Sequence, residues 1–125
     1  MKLRPLLVTV VACIALAGFA QITVGTARAQ TSNDCGQATT TASLVACVEH
    51  CAELGLINNQ GVTNSLLAKL DAAQVAQDNG QTGTAINILH AFIQELHAQA
   101  GKHIDQSHAQ DMATHAQMVI LALGG

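Results

Sequence analysis

From Thr41 onward, apolar residues recur at helical intervals. Leu44, Cys47, Val48, Cys51 and Leu54 fall on one face of a first helix, at the spacing that marks a helix with one buried side. Gly55 is placed to end it, because glycine takes the left-handed conformation that closes helices at little cost. Leu56 and Ile57 would tuck the connection against the core, and Asn58 or Asn59 supplies an N-cap for a second helix, its side-chain oxygen accepting from free backbone N–H groups. That helix presents Val62, Leu66, Leu67, Leu70 and Ala73 and runs into Asp78-Asn79-Gly80, a stop signal by residue type. A third helix carries Ala85, Ile86, Leu89, Phe92, Ile93, Leu96 and Ala100, with Gly101 as its C-terminal cap. A fourth carries Ala109, Met112, Ala113, Ala116, Val119, Ile120 and Leu123. The single proline, Pro5, lies outside all four, so no helix interior is interrupted. No segment alternates with a period of two, so strands are not expected. The pattern predicts an all-α fold over residues 41–123, a compact antiparallel four-helix domain with short connections.

The first thirty residues follow a different pattern. Lys2 and Arg4 precede the apolar run Leu6–Ala20, and Ala27-Arg28-Ala29 precedes Gln30. A basic start, an apolar core and an A-x-A site form the layout of a secretory signal peptide over residues 1–29. The protein is expected to be exported, either periplasmic or secreted. Val10-Val11-Ala12-Cys13 loosely fits a lipidation box, but the apolar run continues past Cys13 to Ala20. Residues 30–40 are polar without periodicity and read as a flexible lead-in. Nothing after Ala20 reaches the roughly 18–20 apolar residues of a bilayer span, so no span is expected after cleavage.

Composition changes meaning once the leader is set aside. The 125 residues are 50% hydrophobic and 10% charged, with mean hydropathy +0.32, which on its face looks membrane-like. Removal of residues 1–29 leaves Lys69 and Lys102 against eight carboxylates and no arginine, a formal charge of −6 with neutral histidines. Nucleic-acid binding through phosphate neutralisation is excluded by that balance. Phe92 is the one aromatic residue left, so there is no platform for stacking on bases. The length allows one domain.

The stretch Gly61-Val-Thr-Asn-Ser-Leu-Leu-Ala-Lys-Leu70, followed by Asn79-Gly80, Ala85-Ile86-Asn87, Leu89, Ala91-Phe92-Ile93 and Gly101-Lys-His-Ile104, resembles the FIMAH domain. Its most specific block is Asn64, Ser65, Leu66, Leu67, Lys69 and Leu70. The resemblance implies a short helical module of secreted or surface-attached bacterial proteins, with a non-catalytic accessory role. Its partner would be an envelope or extracellular protein. The cysteines of the first helix depart from the ordinary apolar residues expected there.

Cys35, Cys47 and Cys51 remain after cleavage, an odd number in a compartment where disulfides persist. Cys47 and Cys51 stand one helical turn apart, which strains a bond between them. A bridge from Cys35 to either is easier, and closing a loop of that size is worth ~3 kcal/mol. The remaining sulfur would be a core residue or would link two chains as a disulfide-bonded homodimer. Zinc or copper binding is the alternative chemistry. His108, Asp111 and His115 share about 60° of arc on the fourth helix and could offer nitrogen and oxygen ligands. The competing reading makes them a polar flank beside the apolar face. No motif of a nucleophile elbow, zinc protease or phosphate loop occurs, so no enzyme and no required cofactor are expected. Glu49, Glu53, Asp71 and Asp78 read as solvated-face charges.

Overall fold

The computed structural model describes residues 39–125. The expected signal peptide over 1–29, most of the lead-in and Cys35 lie outside the described residues. Four helices follow in order: α1 (Thr41–Glu53), α2 (Gln60–Asp78), α3 (Thr82–Gln99) and α4 (Gln106–Ala122). Among the described residues there is no strand, only isolated bridges that pair Ile104 with Ile57 and with Ala100.

Local chemistry sets the helix ends. Thr40 and Ser43 form a reciprocal capping box at the start of α1, which satisfies two backbone donors that have no partner inside the helix. Asn59, the second of the two expected candidates, caps α2 by accepting from the N–H groups of Gly61 and Val62. Asp105 does the same for α4 through Ser107 and His108. At the C-terminal ends, Gly55 and Gly101 adopt φ of +78° and +76°, where a Cβ would be strained. The chain thus turns where the residue types predicted.

Each helix packs against its two neighbours in a closed ring. The α2–α3 contact is the most extensive, followed by α3–α4, α1–α2 and α1–α4. The shared core contains Leu44, Val48, Leu66, Leu70, Leu89, Phe92, Leu96, Met112 and Val119, all buried. Burying each such side chain contributes roughly 1.5–3 kcal/mol before the entropy of ordering the chain is subtracted. At one end of the bundle, the α1–α2 and α3–α4 connections hold each other directly. Asn58 N–H donates to His103 O and Asp105 N–H donates to Leu56 O, each at 2.9 Å. At the other end, Gln77 Nε2 of α2 donates to the buried Thr41 Oγ1 of α1 at 2.6 Å.

Two positions differ from the periodicity. Leu54, expected on the inner face of α1, is 60% exposed. It stands beyond the last helical residue, and the chain folds back so that the Leu56 and Ile57 N–H groups both reach Cys51 O. Ile57 then fills the core in its place. His115, expected on a polar flank, is only 1% exposed. It lies three residues after Met112 and four before Val119, so helical geometry puts it on their face.

Candidate functional site

The block that carries the family resemblance lies within α2, and helical geometry divides it among different tasks. Leu66 and Leu70, one turn apart, are wholly buried in the core, and Leu67 is partly covered. Asn64, exposed, accepts from Gln60 Nε2 at 3.0 Å. Ser65 and Lys69 are also one turn apart but rotated toward α3, where both meet Glu95. Lys69 Nζ approaches Glu95 Oε2 to 2.6 Å, and Ser65 Oγ donates to the same oxygen at 2.9 Å. Lys69 Nζ also donates to Ser65 Oγ at 3.1 Å. The side chains of Lys69 and Glu95 are 31% and 16% exposed, so this pair is sheltered but not cut off from water. Glu95 was not singled out from the sequence. One signal pointed to it, since it is the sole carboxylate of α3 and Lys69 is the sole lysine of α2.

Beside this network runs an open groove between α2 and α3, with a volume of about 460 Å³. Ser65, Ala68, Lys69 and Ala72 form one wall, and Thr84, Asn87, Ile88 and Ala91 form the other. A second groove, about 340 Å³, runs along the other flank of α2 against α1. Leu67, Leu70, Asp71 and Gln74 face Ala42, Val45 and Glu49 across it. The motif-bearing helix therefore contributes residues to both open seams.

The cysteines of α1 face inward. Cys47 and Cys51 are both buried, and Cys51 keeps a free thiol. Burial pushes that thiol above its ordinary value, with Asp111 and Asp105 adding in the same direction. Thiolate is the reactive form, so Cys51 is shielded chemically as well as sterically.

His108, Asp111 and His115 are not brought together. His108 Nδ1 lies 2.8 Å from Asp105 Oδ1 in the first turn of α4, Asp111 is exposed, and His115 is in the core. Residues seven apart share a helix face but stand about 10.5 Å apart along the axis, which separates the two rings. Among the described residues, no group of three or more His, Cys, Asp and Glu side chains is placed to hold a metal ion. Glu49, Glu53, Asp71 and Asp78 are all exposed, as read from the sequence.

No helix among the described residues is long and apolar enough to cross a membrane. No curated protein and no solved structure matches the chain. The model of the FIMAH domain matches residues 41–121, from the first residue of α1 into the last turn of α4, and the chain belongs to the FIMAH domain family.

Proposed function

We propose that this protein is an exported, non-catalytic helical module that binds another protein of the cell envelope or the extracellular space. The observation that carries the proposal is the placement of the family block. Ser65 and Lys69 line the α2–α3 groove while Leu67 and Leu70 line the α1–α2 groove, so one helix presents family residues to two open surfaces. The signal-peptide layout of residues 1–29, with its basic start and Ala27-Arg28-Ala29 site, supports export.

A serine and a lysine one turn apart invite a hydrolytic reading, and their hydrogen bonds weigh against it. A lysine base must accept the serine proton. Here Lys69 donates to both Ser65 and Glu95, and the Ser65 hydroxyl donates to Glu95. Neither group is arranged as a nucleophile with its base. The reading also includes a disulfide between Cys35 and Cys47. Cys51 keeps a free thiol while Cys47 is held in a disulfide, and Cys35 is the remaining cysteine of residues 30–125. Burial of Cys51 weighs against its linking two chains.

A photo-crosslinking residue placed at Ala72 or Gln74, on the flanks of α2, tests the proposal in the living host. Discrete adducts are expected from these positions and not from Gln117 on the outside of α4. Identical patterns from all three positions, or none from any, would overturn it.

A further inference from the structure

We infer that the groove between α1 and α2 is a docking site for a cationic amphipathic helix of a partner protein. The inference rests on the interaction-module reading and names the partner's chemistry.

The floor of the groove is apolar. Val45 of α1 and Leu67 of α2 are partly exposed there, with Leu70 beneath them. The rim is acidic. Glu49 stands on the α1 side and Asp71 on the α2 side, with Glu53 one turn beyond Glu49. Among the described residues, the ion pairs are Lys69–Glu95 and His108–Asp105, so Glu49, Glu53 and Asp71 have no cation of their own. Lys69, the sole lysine on either helix, is turned to α3 and held there.

Shape favours a helix as occupant. A volume of about 340 Å³ accepts roughly two or three aliphatic side chains spaced as on one helix face, the helix-in-groove mode. A third helix set over the seam of two packed helices places its ridge in their groove. Addition of a strand needs an exposed sheet edge, and the described residues hold none. Charge selects the partner. Lysines or arginines flanking its apolar stripe would meet Glu49 and Asp71. A second copy of this chain is a poor complement, since its two remaining cations are Lys69 and Lys102. The segment just before α1, residues 30–40, brings Asp34 and no cation.

The experiment titrates the protein purified from its host with two synthetic peptides of about 14 residues. One is an amphipathic helix of leucine, alanine and lysine, and the other replaces every lysine by glutamate. Affinity is read by calorimetry and location by amide chemical shifts. The lysine peptide is expected to bind and to shift amides around Val45 and Leu67, while the glutamate peptide does not bind. Asp71→Lys is expected to weaken binding by about tenfold, since it removes one favourable pair and adds a repulsion of similar size. Asp111→Lys on α4 changes net charge equally and should weaken binding less than twofold. Equal losses from the two variants would reveal mere attraction to an acidic protein and overturn the inference. So would shifts confined to the α2–α3 groove, no binding of the lysine peptide, or a dimer that buries Val45 and Leu67. If crosslinks from Ala72 and Gln74 form in the host while the lysine peptide fails here, the docking inference falls and the interaction module stands.

Discussion

Lys69 Nζ and Glu95 Oε2 meet at 2.6 Å across the seam of α2 and α3, a pairing between residues 26 apart that joins the two most extensively packed helices. Because Lys69 is about a third exposed, solvent screens the attraction, and the pair is worth far less than a dry one. Lys69→Met is expected to destabilise the fold by about 1 kcal/mol, since it leaves the sheltered Glu95 carboxylate without its cation. The double variant with Glu95→Gln should recover part of that loss. Urea unfolding of the four proteins in the cycle measures the coupling, and strictly additive losses would show that the two residues act independently.

Asn59 offers a cleaner local test. Its Oδ1 accepts from Gly61 N–H at 2.9 Å and Val62 N–H at 3.1 Å. Asn59→Ala removes both and should cost ~1 kcal/mol. Asn59→Asp keeps the acceptor and adds a charge favourable at a helix N-terminus, so its urea midpoint should equal or exceed that of the natural protein. A midpoint unchanged in Asn59→Ala would mean that the start of α2 does not depend on this cap.

Asp105 links stability to pH. Its carboxylate is held well below the usual carboxylate range, chiefly by the Ser107 hydroxyl at 2.6 Å and then by His108. A depressed folded-state value means the charged form is favoured by folding. This stabilisation is fully present at neutral pH and is lost as pH falls below about 4, through the lower folded value. The melting temperature of the natural protein should therefore exceed that of Asp105→Asn at pH 6, and the gap should narrow steadily as pH falls from 4 toward 2. A gap independent of pH would contradict the assignment.

Cys51 should be a slow thiol. It is buried, and its ionisation is pushed upward by that burial. Iodoacetamide at pH 8 is expected to leave Cys51 unmodified in the folded protein and to label it rapidly in urea, as followed by intact mass. Fast labelling without denaturant would show that α1 opens readily at this position.

Much of the architecture was legible in the sequence because it is written in local chemistry. Helix spacing of apolar residues marks four segments, Asn59 and Gly55 mark a start and a stop, and these depend on residues only a few positions apart. The family block was legible as well, since Asn64 to Leu70 is contiguous. Leu54 was misread because periodicity carries on past the last helical residue, whereas the chain turns back at Gly55 and lets Ile57 fill the core. His115 was misread because a polar side chain was assigned to the polar flank, while its angular position beside Met112 and Val119 placed it inside.

The sequence by itself determined that four helices form, which of their faces are apolar, that glycines such as Gly55 and Gly101 close two of them, and that residues 30–125 are acidic with two lysines. All of these follow from covalent neighbours and composition. Tertiary structure alone decided which distant residues meet. It brought Lys69 to Glu95, Gln77 to Thr41 and Asn58 to His103, and it left two grooves open on either side of α2. Those outcomes depend on how helices rotate and slide against one another as the core fills, and no spacing within a single helix records that.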